Sequence, residues 1–139
     1  MAEIISKYSR TEINKEFVKT YFDLLNFMKN HVTNNKDFNF FYKKNIILKK
    51  TNVKYFIKLY YEKITKHYGK HIMDENIEYF LDNNFSDEAN MFKSSTSIDI
   101  SKYISFMQSI YHKLDDELIN VFINYLKKLT FLSVCYFNN

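Results

Sequence analysis

The 139-residue sequence contains no proline, no tryptophan and a single glycine. Glycine and proline are the commonest turn residues, so their scarcity favours helices joined by short Asn, Asp, Ser and Lys connections. A single glycine also argues strongly against a P-loop or a glycine-rich dinucleotide loop, because both need several glycines. The lone Cys135 excludes an intramolecular disulfide and a zinc site built from cysteines.

Motifs of known catalytic sites are missing as well. The sequence has no GxSxG and no HExxH. His67 and His71 are four residues apart, which suits two metal ligands on one helix, but no third ligand accompanies them. The acidic runs at 87–88 and 115–117 stand where helices are expected to begin, so helix capping explains them. The sequence therefore predicts a protein that is not an enzyme and that uses no metal, cofactor or small-molecule substrate.

The apolar residues, which include fourteen phenylalanines and twelve tyrosines, recur at the spacing of amphipathic helices. Ser9 and Glu12 form a capping-box pattern at the start of the first helix. The predicted core positions of the first, third and last helices are Ile13, Phe17, Tyr21, Leu24, Leu25, Met28 and Val32, then Val53, Phe56, Ile57, Tyr60 and Ile64, then Leu118, Val121, Phe122, Tyr125, Leu129, Leu132 and Tyr136.

These patterns predict an all-α fold, a single domain over residues 1–139 in a compact bundle of five to seven helices, three of them long. Asp37 and Thr51 are predicted N-caps, and Gly69 is predicted to end the third helix with a positive φ. Shorter helices are expected to start near 74 and 86. The short connection at 115–117 predicts a C-terminal antiparallel helical hairpin.

The most apolar segment, residues 118–137, is long enough to span a membrane. It contains Lys127 and Lys128, and a charged residue near the bilayer centre costs about 2.5–3.5 kcal/mol on insertion scales. We therefore interpret the segment as a buried amphipathic helix and expect no membrane association. The first twelve residues contain no apolar run of signal-peptide length.

Charge is distributed unevenly along the chain. Residues 43–70 contain nine lysines and one acid, Glu62, for a net charge of +8, whereas residues 71–100 contain seven acids and Lys93, for a net charge of −6. We expect a basic helical surface in the first segment. Its lysines are Lys43, Lys44, Lys49, Lys50, Lys54, Lys58, Lys63, Lys66 and Lys70.

A basic helical surface suits an acidic protein partner or the phosphates of a nucleic acid. Arg10 is the only arginine, and arginine dominates base readout, so sequence-specific DNA recognition is disfavoured. The leading prediction is a non-enzymatic interaction or structural protein that contacts an acidic protein partner. Sequence-independent nucleic-acid binding and self-association are alternatives, as is a solvated surface neutralised by the acidic segment 71–100.

The chain resembles small uncharacterised proteins of nucleocytoplasmic large DNA viruses, of the giant mimivirus-like and algal-virus groups. Three stretches carry the resemblance, namely FYKKNIILKKTNVKYFIKLYYEKIT, IMDENIEYFLDNNFSDE and YLKKLTFLSVCYF. The resemblance implies a small soluble viral protein in the host cytoplasm (the viral factory), with packaging in the virion left open. The nucleic-acid alternative would then act in the virion or replication compartment. It implies no catalytic residues. Viral Bcl-2-like proteins are a weaker comparison, because their Asn-Trp-Gly-Arg signature is missing here.

Overall fold

The computed structural model describes residues 9–31, 35–77 and 100–138, the side chains of 100–103 excepted. The elements are α1 (Arg10–His31), α2 (Lys36–Thr51), α3 (Tyr55–Tyr60), a π-helical turn (Tyr61–Thr65), α4 (Lys66–Met73), α5 (Ile100–Tyr111) and α6 (Asp116–Asn138). Since α3, the π turn and α4 run without a break from Tyr55 to Met73, we refer to them together as the helix α3–α4. Counted in this way, the described residues form five helices and no strand, which confirms the all-α prediction.

Two helix starts follow the sequence prediction. The Ser9 Oγ accepts a 3.2 Å hydrogen bond from the backbone N–H of Glu12, and the Glu12 carboxylate accepts a 3.3 Å bond from the backbone N–H of Ser9. This is the reciprocal capping box of α1. At α6 the Asp115 carboxylate accepts a 2.9 Å bond from the backbone N–H of Leu118. Both caps satisfy backbone donors that the first helical turn leaves unpaired.

Two predicted caps are wrong. The N-cap of α2 is Asn35, whose Oδ1 accepts a 3.0 Å bond from the backbone N–H of Phe38, and Asp37 lies in the first turn of the helix. Asparagine caps as well as aspartate does, so the earlier residue starts the helix and Asp37 complements its dipole. Thr51 is the last residue of α2 and caps nothing, because its hydroxyl donates back to the Ile47 carbonyl at 3.1 Å.

Gly69 does not end a helix, contrary to the prediction. It lies buried within α4 without a positive φ, and among the described residues a positive φ occurs only at Glu75, where φ is 62°. A Cβ at Gly69 would lie 3.3 Å from the Thr65 Cγ2 and 3.5 Å from the Thr130 Cγ2. The tighter of these contacts is with Thr65, one turn earlier in the same continuous helix, whereas the distance to Thr130 of α6 is an ordinary van der Waals contact.

The buried side chains of the described helices form a core in which α6 lies against α1 and α3–α4. The Arg10 guanidinium lies 5.2 Å from the Tyr136 ring centroid, and the rings of Phe27 and Phe122 are 6.4 Å apart, so α1 and α6 are antiparallel. The predicted core positions buried in these three helices are Ile13, Phe17, Tyr21, Leu24, Leu25, Met28, Phe56, Ile57, Tyr60, Ile64, Phe122, Leu129, Leu132 and Tyr136.

Two predicted core residues are instead exposed, Val53 at 42% and Val121 at 37%. Val53 lies in the turn that precedes α3, where the helical spacing used to predict its burial does not apply. Val32, residues 78–99 and therefore most of the acidic segment lie outside the described residues. The rings of Tyr111 and Phe122 are 6.2 Å apart across the α5–α6 connection, and the C-terminal antiparallel hairpin stays a prediction.

Candidate interaction surface

The π turn keeps an apolar row of α3–α4 in contact with the core. Tyr60, Ile64, Tyr68 and Ile72 follow one another at four-residue intervals, and all four are buried. Four residues are slightly more than one turn of a regular α-helix, which has about 3.6 residues per turn. Over three such steps the row would therefore move by about 120° around the helix axis. The π turn takes one additional residue, which removes about 100° of this drift. The row therefore stays on the inner side of the helix.

The same turn keeps a charged row on the outer side. Lys54, Lys58, Glu62, Lys66 and Lys70 also follow one another at four-residue intervals, and all five side chains are exposed. Four steps would drift by about 160° around a regular α-helix, and the π turn reduces the drift to about 60°. Four lysines of the expected basic surface, Lys54, Lys58, Lys66 and Lys70, thus lie along one exposed side of this segment.

One lysine of this row is already paired. The Lys66 Nζ lies 3.0 Å from the Glu62 carboxylate and 5.6 Å from the Tyr61 ring centroid. Both charged side chains are about half exposed, so the i,i+4 pair contributes only about 0.2–0.5 kcal/mol. Within the described part of the chain, Lys54, Lys58 and Lys70 form no ion pair. Lys54, directly before α3, and Lys58 and Lys70 within α3–α4 are therefore the positions best placed to bind an anionic partner.

The other lysines of the segment differ in exposure. Lys43, Lys49 and Lys50 are exposed on α2, whereas Lys44 and Lys63 are half-buried. The nine lysines therefore fall into a group on α2 and a group on α3–α4, each with a half-buried member.

Two apolar side chains on α2 are part of the surface, and the sequence interpretation overlooked them. Phe40 is 71% exposed and Ile47 is 62% exposed. They lie on the side of α2 opposite the buried Phe38, Phe41 and Asn45. The sequence contains a signal for this shared face. Residues seven apart lie on the same side of an α-helix, and the inward residues named above occupy the other side.

The tyrosines between the lysines are occupied in packing. Tyr60 and Tyr68 are buried, and the Tyr60 hydroxyl lies 3.0 Å from the Thr130 Oγ1. Burial raises the pKa of Tyr60 well above its usual value, while its hydrogen bond with Thr130 acts in the opposite direction. The Tyr61 ring stacks on Phe137 with 4.3 Å between centroids. These positions favour the interpretation of the tyrosines as core and rim residues over base stacking.

A groove of about 940 Å³ runs beside α1. Phe22 forms part of its wall, with the Lys49 Nζ 4.7 Å from the ring centroid. Glu16 also lines the groove, and its carboxylate accepts a 2.6 Å hydrogen bond from the Lys128 Nζ. This bond holds the pKa of Glu16 below its usual value. With lysines and carboxylates intermixed, the groove offers neither a charge preference nor a paired acid and base.

The described residues contain no group of three or more His, Cys, Asp or Glu side chains that could hold a metal ion. Cys135 is half-buried, and burial raises the pKa of its thiol, which lowers its reactivity as a thiolate. The absence of enzymatic activity and of a metal stays a prediction.

By length and composition alone, α6 is a helix that could cross a membrane, and it is the one such helix among the described residues. One side of α6 is buried against the other helices, as the sequence interpretation expected. Polar side chains contribute to this contact, since the Thr65 Oγ1 lies 2.7 Å from the Ser133 Oγ, which donates to the Thr130 carbonyl. The expectation that the protein does not associate with membranes stays a prediction.

A scan of protein-family models, a search of curated proteins and a search of solved structures each find no match to the chain. The resemblance to proteins of large DNA viruses therefore stays a prediction.

Proposed function

We propose that the protein is a non-enzymatic interaction or structural protein whose lysine-rich surface on α2 and α3–α4 binds an acidic protein partner. One observation carries the proposal. Lys54, Lys58 and Lys70 lie exposed along one side of a helix whose π turn aligns them, and within the described residues they form no ion pair. Complementary charge on a partner would steer its approach and set its orientation. The proposed setting, taken from the resemblance alone, is the viral factory and virion of a large DNA virus.

Sequence-independent nucleic-acid binding is the alternative, and the same lysine row supports it. Two observations weigh against it. The interleaved Tyr60, Tyr61 and Tyr68 pack within the protein, and Arg10, the only arginine, lies over the Tyr136 ring. Phosphate contacts by lysine remain, and such contacts make binding strongly salt-dependent.

The test is charge reversal of the unpaired row. The variant Lys54→Glu/Lys58→Glu/Lys70→Glu is compared with Lys15→Glu/Lys19→Glu/Lys113→Glu, which makes the same change in net charge at exposed lysines elsewhere. Fluorescence anisotropy measures binding of a glutamate-rich peptide and of a mixed-sequence DNA duplex. We expect the row variant, but not the control, to lose about threefold to a hundredfold in peptide affinity, since three exposed pairs are worth roughly 0.6–3 kcal/mol.

The two functions separate in the same experiment. If the wild type binds the duplex, with a slope of several units in log K against log salt, and ignores the peptide, the nucleic-acid alternative replaces the proposal. If the row variant and the wild type bind the peptide equally, the lysine row is not the binding surface.

A further inference from the structure

The outer side of α2 carries two exposed apolar side chains in line with each other. Phe40 and Ile47, the two most exposed of the large apolar residues in the described chain, are seven residues apart. In an α-helix this places them about 10.5 Å apart along the axis and about 20° apart around it. Single exposed apolar residues are common on protein surfaces, whereas apolar side chains that share one side and are rimmed by polar groups mark interaction sites.

Three lysines share this side of the helix. Lys36, Lys43 and Lys50 are also seven residues apart, all are exposed, and they fall within about 80° of Phe40 around the helix axis. Among the described residues these three lysines form no ion pair. The outer side of α2 is therefore both apolar and cationic, and both sets of side chains repeat every seven residues.

Buried contacts fix the rotation of α2, so that this side must face outward. The buried Asn45 donates from its Nδ2 to the Phe41 carbonyl at 2.8 Å and accepts from the Tyr21 hydroxyl at 2.6 Å. On the same inner side, the Phe38 ring meets the Phe106 ring edge to face, with 5.1 Å between centroids. Turning α2 to bury Phe40 would break the hydrogen bond from Tyr21 of α1 and the ring contact with Phe106 of α5. The exposure of Phe40 and Ile47 is thus a property of the folded chain.

We infer that this side of α2, the Phe40–Ile47 face, binds an acidic amphipathic helix of a partner protein. The inference rests on the proposed function and names the class of partner. A seven-residue repeat is the repeat at which two helices pack side by side, so a helical partner can match both rows along its length. Its apolar side chains would cover Phe40 and Ile47, and its carboxylates would meet Lys36, Lys43 and Lys50.

The experiment uses two synthetic helical peptides of equal charge. The first carries leucine and glutamate in matching seven-residue repeats, and the second has serine in place of each leucine. Isothermal titration calorimetry measures both peptides against the wild type, Phe40→Ser/Ile47→Ser and the control Val121→Ser/Val134→Ser, which alters two exposed apolar residues of α6. Circular dichroism establishes that each variant is folded.

We expect the wild type and the control to bind the leucine peptide at least about tenfold more tightly than the serine peptide, which corresponds to about 1.4 kcal/mol. We expect Phe40→Ser/Ile47→Ser to lose this preference and to keep its affinity for the serine peptide. If that variant binds both peptides as the wild type does, the inference is overturned while charge-based binding stands. If the wild type binds neither peptide, the proposed function fails with it.

Two other occupants of the Phe40–Ile47 face would also overturn the inference. A lipid surface would be identified if the wild type binds vesicles of phosphatidylserine and phosphatidylcholine and Phe40→Ser/Ile47→Ser does not, while the variant still binds the peptides as the wild type does. A second copy of the chain would be identified by light scattering under three conditions: the wild type is a dimer, Phe40→Ser/Ile47→Ser is a monomer, and the leucine peptide does not dissociate the wild-type dimer.

Discussion

The Tyr21 hydroxyl donates a 2.6 Å hydrogen bond to the Asn45 Oδ1 in the buried contact between α1 and α2. Burial raises the pKa of Tyr21 well above its usual value, so the hydroxyl stays protonated and remains a donor. Because Asn45 is held on its other side by the Phe41 carbonyl, the bond fixes the rotation of α2. The orientation of the lysines and apolar side chains on its outer side therefore depends on a polar pair in the core.

Replacing Tyr21 by phenylalanine tests that pair. The change leaves the buried Asn45 Oδ1 without its donor, which should lower the free energy of unfolding by about 1–3 kcal/mol. Tyr42→Phe is the matched control, because the Tyr42 hydroxyl donates to the Asn26 Oδ1 at an exposed position where water can replace it. Urea denaturation measures both variants. Equal losses would show that the Tyr21 bond has no special role.

The packing of Gly69 predicts a coupling with Thr65. Alanine favours a helix interior over glycine by about 1 kcal/mol, but a Cβ at position 69 would lie 3.3 Å from the Thr65 Cγ2. Thr65→Ser removes this methyl group and keeps the hydroxyl that bonds to Ser133. We expect Gly69→Ala to be more favourable in the Thr65→Ser background than in the wild type, as measured by a double-mutant cycle of unfolding free energies. Zero coupling would contradict the close contact.

The π turn predicts an unusual tolerance of deletion. Removing Glu62 shortens the turn by one residue, and a regular α-helix through this segment then keeps Ile64, Tyr68 and Ile72 directed at the core. Removing Lys19 from α1 has no such compensation and rotates every later residue of that helix by about 100°. We expect the Glu62 deletion to unfold cooperatively on heating, as followed by circular dichroism, and the Lys19 deletion to lose its folded structure. Loss of folding in both would contradict the assigned role of the turn.

The Glu16–Lys128 contact predicts a small pH-dependent contribution to stability. Since the hydrogen bond to Lys128 lowers the pKa of Glu16 in the folded protein, the contribution is present above the usual carboxyl value of 4.5 and is lost as pH falls through the lower folded value. Both side chains are more than a third exposed, so screening limits the contribution to about 0.2–1 kcal/mol. Glu16→Gln should therefore be less stable than the wild type near neutral pH and equally stable in strong acid. A difference that persists in acid would assign the effect to packing.

Features fixed by neighbouring residues could be predicted from the sequence. The capping box of Ser9 and Glu12 and the cap by Asp115 act over three residues, and the apolar spacing of α1 and α6 follows from helix geometry alone. Features fixed by contacts between helices could not. Gly69 suits either a helix end or a buried helix interior, and only the packing of the folded chain around it decides between them.

The π turn lies between these cases. Tyr60, Ile64, Tyr68 and Ile72 repeat every four residues, whereas a regular α-helix has about 3.6 residues per turn. The sequence therefore contained a signal for the π turn. The lysines of residues 43–70 were expected on the surface, and most of them are exposed. The spacing of Phe40 from the buried residues of α2 also indicates exposure, but an aromatic residue in a helix is ordinarily assigned to the core.

The most direct test of the central claim is an amide NMR titration of the wild-type protein with the leucine–glutamate peptide. The proposed acidic-partner surface predicts chemical-shift changes confined to the outer side of α2 and to the row of Lys54, Lys58 and Lys70. Changes centred on the groove beside α1, or no changes at a large molar excess of the peptide, would contradict it.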